Sequence, residues 1–344
     1  MKKSISFIWV LTLLSGPVSA SAFTAVKDTL PSIPGEHNYI YVRTPLEANE
    51  EKNYDEITFY DGLGRELDFA QSYGADRTNI FMAHHHLIEY DSLGRKEKQW
   101  ITAPNSFSYM APEDLKNGIL WDYHDAGKRS YLQTNYESSP LNRITEQYGV
   151  GDAWGNHPAR MEYLTNIPAD SLRCSLYLID DNDALIRRGD YRSGELQVTK
   201  ATDEDGKPTY TFVDKQGRTL LTRLGRGNQQ ADTYFVFDRF GRIRYVLPPM
   251  INDEISAGNL DLYAYQYLYD SFGHCISKKL PGCAAIRYVY DKADRVILSQ
   301  NGNQSQKKEW TFTFYDNQGR LSLTGLCSFN DPPSLDNSIV RAYR

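Results

Sequence analysis

The sequence predicts an all-β protein: repeated β-hairpins forming a curved or spiralling open β-sheet strip, with few short helices. Three observations predict it. A six-residue turn motif recurs along the chain, aromatic residues recur two apart ahead of it, and tyrosine is abundant, at 25 of 344 residues. Aromatics at that density suit half-buried pleated surfaces better than helix faces.

The motif is Tyr/Phe-Asp-x-x-Gly-Arg. It is complete at Tyr60, Asp61, Gly64 and Arg65, at Tyr90, Asp91, Gly94 and Arg95, at Phe237, Asp238, Gly241 and Arg242, and at Tyr315, Asp316, Gly319 and Arg320. Three variants follow the same plan. Val213 replaces the aromatic before Asp214, Gly217 and Arg218; His274 replaces the arginine after Tyr269, Asp270 and Gly273; Asp294 takes the glycine slot between Tyr290, Asp291 and Arg295. Chance would give on the order of 0.01 complete matches in such a chain.

Each position has a physical job. The aromatic ends a strand, and the aspartate accepts a backbone N–H two residues on, which holds a turn. Glycine supplies a positive φ. Asp294 can stand in for it because aspartate visits the left-handed region more readily than most residues. The arginine opens the return strand within reach of the turn aspartate.

The flanking segments alternate as strands require. Tyr263, Tyr265, Tyr267 and Tyr269 lie two apart, as do Phe235 and Phe237, Phe312 and Phe314, and Tyr288 and Tyr290. Alternation places each set on one face, where stacked hairpins would form aromatic ladders. Each cross-strand pair contributes about 0.2 to 1 kcal/mol over alanine. From Asp214 onward the turns are about 20 to 30 residues apart, one hairpin per repeat with variable outer loops. A lone hairpin is marginal in water, so neighbours must cover one another.

Between Tyr90 and Val213 the pattern thins. Residues 136–143 read as an altered unit with Pro140 and Asn142 as turn formers, and short helices are expected at 112–117, 168–174 and 252–257. The polar stretch 203–208 reads as a boundary or loop. The expected organisation is a signal peptide over 1–22, an N-terminal repeat-containing domain over 23–200, repeats over 201–327 and a tail over 328–344.

The start of the chain sets the expected compartment. Lys2 and Lys3 precede an apolar run from Ile5 to Leu14, then Gly16-Pro17 and the small residues Ala20, Ser21 and Ala22, a secretory signal with cleavage before Phe23. Export to the periplasm, cell surface or medium is expected. No later run approaches 18 uncharged apolar residues, so no transmembrane span is expected. A net charge of −6 gives no drive toward nucleic acid or anionic lipid.

Candidate chemistry is sparse. Cys174, Cys275, Cys283 and Cys327 have no CxxC spacing for zinc, and a turn at Pro281-Gly282 pairs Leu280, not Cys275, with Cys283. Among His84, His85 and His86, only the first and third share a strand face, and nothing completes a metal site, so a surface strand is expected. The turn aspartates resemble glycosidase carboxylates only superficially, because a catalytic pair occurs once and these recur with the fold. No Gly-x-Ser-x-Gly, phosphate loop or dinucleotide fingerprint is present, and Gly149-Val-Gly151 reads as a turn. Trp100, Trp121, Trp154 and Trp310 could stack on sugars but read better as packing residues. No cofactor and no catalytic residue are expected.

The residues resemble a family, the large secreted RHS/YD-repeat proteins of bacteria, in the form common among Bacteroidota. Residues 57–65 and 136–154 look like the domain of unknown function that opens those proteins; 232–249, 279–282 and 288–295 look like the repeats that follow. The resemblance implies a sheet strip that spirals into a hollow shell, in several members enclosing a C-terminal toxin released by self-cleavage. After Arg320 the chain departs from that pattern, lacking the Asp-Pro-flanked core and a toxin domain. The expectation is therefore a non-enzymatic scaffold or interaction protein, a short orphan, a truncated frame or an open array completed by another chain. Its expected partners are another RHS polypeptide, an effector or an envelope protein. A carbohydrate-binding surface protein is the alternative, and a glycosidase or toxin component is the less favoured one.

Overall fold

A computed structural model describes residues 38–46, 53–73, 83–105, 109–122, 128–225, 230–251 and 254–328. The signal segment 1–22 and residues 329–344 of the tail lie outside the described residues. Each motif closes a hairpin whose first strand ends on the aromatic and whose second begins after the arginine. Asn53–Tyr60 returns as Glu66–Tyr73, Ala83–Tyr90 as Lys96–Trp100, and Glu309–Tyr315 as Leu321–Ser328. All these pairings are antiparallel, and each has a one-residue register shift next to the aromatic, as at Phe59/Tyr60 and Phe314/Tyr315. Such a bulge sets two residues against one and sharpens the local twist.

The chain divides into two compact units, Met1–Arg160 and Met161–Arg344. In the first, Ile57 and Phe59 alternate inward and meet Ala70 and Ala83, with Tyr41 and Tyr109 packed against them. A second cluster joins Leu87 and Trp100 to Leu115 and Ile119 of the helix Pro112–Asp122. In the second unit, Val198, Tyr210, Phe212, Leu221, Tyr234 and Val236 form one core with Tyr177 and Leu185 of the smaller hairpin Ser175–Ile179/Leu185–Asp190. Inward residues lie two apart on each strand, as an antiparallel sheet with one buried face requires.

Several expectations change. The segment 203–208, read as a boundary or a loop, is a loop: the hairpin turn joining Gln197–Thr202 to Pro208–Val213 within the second unit. Tyr263 closes the helix Ala257–Tyr263, capped by Ser256, so the strand starts at Tyr265. The first expected helix runs on to Asp122, and 168–174 holds only the single 3₁₀ turn Asp170–Leu172. A helix at Gly302–Lys307, started by an Asn301/Gln304 capping box, had no apolar periodicity to betray it. Trp100 and Trp310 are buried, whereas Trp154 is 46% exposed. The side chain of Trp121 lies outside the described residues.

His85 departs furthest from the surface strand expected. It is fully buried, and its Nδ1 lies 2.6 Å from Oδ2 of the equally buried Asp68. His84 and His86 occupy the other face, and no cluster among the described residues could hold a metal ion. All four cysteines are free thiols, and Cys283 N–H closes the expected turn by donating to the Leu280 carbonyl. Burial pushes the Cys174 thiol up to about 12, an inert packing residue. No described helix is long and apolar enough to cross a membrane.

The glycine slot gives a first testable consequence. Gly217 has φ +80° with open space around its Cα, while Asn142, Asp183 and Asp294 fill equivalent slots at φ +54°, +66° and +61°. Gly217→Ala is expected to cost about 1–2 kcal/mol in urea denaturation, and Gly217→Asn clearly less, because only the left-handed backbone is at issue.

Candidate functional site

The residues singled out by sequence converge on one arrangement repeated down the chain. In each turn the aspartate N–H donates to the carbonyl four residues on, and the glycine-slot N–H donates back to the aspartate carbonyl. One carboxylate oxygen of Asp61, Asp91, Asp214, Asp238, Asp270, Asp291 and Asp316 accepts the N–H of the second residue on. The same oxygen accepts the N–H of the fourth, at 2.8–3.0 Å. The other oxygen accepts Nε of Arg65, Arg95, Arg218, Arg242, Arg295 or Arg320 at 2.7–2.8 Å, and Nδ1 of His274 at 2.9 Å. Both oxygens of every turn carboxylate are therefore engaged within their own hairpin.

Three further turns lacked the full signature. Glu137 and Arg143 form a wider version of the unit, with Asn142 at positive φ. Asp180 collects the N–H groups of Asn182 and Ala184, and with no arginine of its own, its glycine-slot Asp183 pairs with Arg244 at 2.5 and 2.7 Å. Asp203, with Gly206 and Lys207, keeps the turn's backbone bonds and accepts the fourth residue's N–H, while the Lys207 ammonium turns to Asp205. The Asp-x-x-Gly-Lys string was the readable signal there.

Successive hairpins join through the arginine. The Arg65 guanidinium lies 4.4 Å from the ring centre of Tyr90, Arg95 4.6 Å from Tyr136, Arg218 5.1 Å from Phe237, Arg242 4.7 Å from Tyr269 and Arg295 4.8 Å from Tyr315. His274 stacks on Tyr290 at 4.6 Å and 18°. Each tyrosine hydroxyl also donates to the carbonyl just after that cation: Tyr90 to Glu66, Tyr136 to Lys96, Tyr269 to Ile243, Tyr290 to Cys275 and Tyr315 to Val296. Phe237 lacks the hydroxyl and keeps only the stack. The expected aromatic ladder is thus an alternation of cation and ring, favourable because the ring face is electron-rich. Register fixes it: extending Asp68↔Leu87 by three residues sets Arg65 opposite Tyr90, and Leu298↔Phe312 sets Arg295 opposite Tyr315.

Charge follows the bonding. The backbone N–H of Arg65 holds the Asp61 carboxyl below its usual range, and that of Arg320 does the same for Asp316. The Arg143 guanidinium and Ser139 hydroxyl bring Glu137 down to about 2. Carboxylates depressed on folding leave the unfolded chain binding more protons. Their contribution is therefore complete above an unfolded carboxyl pKa of about 4 and is lost as pH falls through the lower folded values. Circular dichroism should accordingly show acid unfolding beginning below about pH 4. His274 has the opposite sign, since its bond to Asp270 raises its pKa and its contribution fades as pH rises through the folded value.

Other buried ionic groups went unread because a lone Asp or Arg in a strand carries no motif. Arg43 pairs with the buried Asp55, whose inward position follows from its spacing of two from Ile57 and four from Phe59. Arg223, 4% exposed, makes two bonds to Asp232 and two more to the carbonyls of Ser171 and Arg173. A cavity of about 300 Å³ in the second unit is lined by Tyr177, Tyr191, Tyr234, Phe237, Arg218 and Asp238 among others.

The domain family described as "Domain of unknown function (DUF6443)" matches residues 37–165. No curated protein matches the chain. Among solved structures, "Crystal Structure of TcdB2-TccC3-Cdc42" matches with TM-score 0.54 and 12% identity over 81% of this chain. "Crystal Structure of TcdB2-TccC3" matches with TM-score 0.53 and 13% identity over 86% of it. The chain spans only 13% and 14% of those polypeptides. At that identity the likeness is one of fold: the chain shares the β-rich fold of those structures.

Proposed function

We propose that the chain is a non-enzymatic, exported RHS-type scaffold that pairs with partner polypeptides: another RHS chain, an effector or an envelope protein. One observation carries this reading. Each of the seven motif carboxylates spends both oxygens on its own hairpin, and six of the seven motif cations spend theirs on that hairpin and the next, so the repeated residues are used in building the sheet. A shell or envelope assembly linked to an effector is the context this suits. The signal-like start of the chain supports export, and the fold shared with the TcdB2-TccC3 structures supports the RHS-type scaffold.

The test is capture of partners by the mature chain from the envelope and secreted fractions of its own cells. Reproducible recovery of one exported polypeptide is expected, and recovery of none would overturn the reading. Enzymatic turnover lost on changing one turn aspartate, but retained on changing its equivalents, would overturn it too. The aromatic cavity favours a second reading, carbohydrate binding. That reading predicts saturable binding on a glycan array that Tyr191→Ala removes.

A further inference from the structure

The junction between hairpins has a fixed recipe, and the last described hairpin presents one half of it. Arg320 is held on Asp316 at 2.7 Å like its equivalents, yet its side chain is 75% exposed, against 15% for Arg95 and 24% for Arg242, which lie on rings. Leu321, Leu323 and Leu326 of Leu321–Ser328 are also exposed. That strand pairs along one edge with Glu309–Tyr315; among the described residues, nothing pairs with the other. Elsewhere the equivalent edge carries an antiparallel strand ending in an aromatic-acid pair, aromatic-Asp at four of these edges and Tyr136-Glu137 at the fifth, with the aromatic opposite the cation-bearing turn.

We propose that the free edge of Leu321–Ser328 docks a strand of a separate polypeptide ending in Tyr-Asp. Its ring lies on the Arg320 guanidinium and its hydroxyl donates to the Leu321 carbonyl. This rests on the scaffold reading and names the partner's recognition element. Strand addition supplies main-chain bonds along the edge, and the cation supplies selectivity for the aromatic end. The interface is a continuation of the one already made six times within the chain. A second copy is a poor occupant. Its strands ending in aromatic-Asp are paired on both edges, as Asn53–Tyr60 and Glu309–Tyr315 illustrate. Its outer strand Asn38–Pro45 ends in Thr44-Pro45 and has no aromatic-acid end to lay on Arg320.

The test titrates the full chain with a labelled nine-residue peptide copying residues 309–317, which ends its strand in Tyr315-Asp316. Saturable binding is expected, weakened about tenfold by alanine at the peptide's tyrosine or by Arg320→Ala in the chain. Arg320→Lys, which keeps charge but loses the flat guanidinium, should weaken it as well. Arg320 is exposed, so circular dichroism should show both variants folded. Hydrogen exchange should show the amides of 321–328 unprotected on the free edge and slowed by peptide. Absent binding, binding indifferent to Arg320, or an edge already protected without peptide would overturn the proposal; in the last case residues 329–344 or a second copy fill it. If the peptide fails while the chain and Arg320→Ala capture the same exported partner, the edge assignment falls and the scaffold reading stands. If neither captures anything, the scaffold reading itself falls.

Discussion

Replacing Arg223 by alanine is expected to destabilise the second unit by about 3–5 kcal/mol, enough to unfold a marginal domain at ambient temperature. The guanidinium lies over the buried Phe212 ring at 5.6 Å, binds Asp232 through two nitrogens and satisfies the carbonyls of Ser171 and Arg173. Its removal leaves a carboxylate and two carbonyls seeking partners near the core, which is costlier than the net worth of the ion pair. Arg223→Met, which refills volume without the donors, should recover only the packing share. Urea denaturation checks both; a loss below about 1 kcal/mol for alanine would show the network to be solvated.

His85→Leu should be comparably severe, at about 3–5 kcal/mol, for a related reason. Asp68 already has one buried oxygen with no hydrogen-bond partner, and His85 serves the other. Without the imidazole the carboxyl must enter the core charged and unpaired, or be protonated to fold. The diagnostic comparison is the double variant Asp68→Leu/His85→Leu. Replacing both members of a buried pair by apolar groups is often neutral or stabilising, so it should be more stable than His85→Leu alone. A double variant that is worse would mean that leucines cannot pack at these positions.

The architecture was legible because the turn chemistry is local. Asp61, Gly64 and Arg65 lie within five residues, and each performs a task that its type and spacing dictate. Altered turns were readable in proportion to what they kept: Glu137 and Arg143 were recognised through proline and asparagine, whereas Asp180, with Ala184 in the arginine slot, left no trace. The cation-on-ring junction was not legible. It depends on register between strands as far apart as Arg95 and Tyr136, a distance no local pattern encodes. His85–Asp68 and Arg223–Asp232 were hidden likewise, since a polar residue at an inward strand position looks like any other until its cross-strand partner is known.

The central claim is that the motif residues are building elements whose cation clasps the next hairpin. A double-mutant cycle on Arg242 and Tyr269 tests it most directly. The two sit 4.7 Å apart in one junction, where Tyr269 donates to the Ile243 carbonyl and Arg242 to that of Asp270. Arg242→Ala, Tyr269→Ala and the double variant, compared by urea denaturation, should show a favourable coupling of about 0.5–2 kcal/mol. Strictly additive losses would contradict the account.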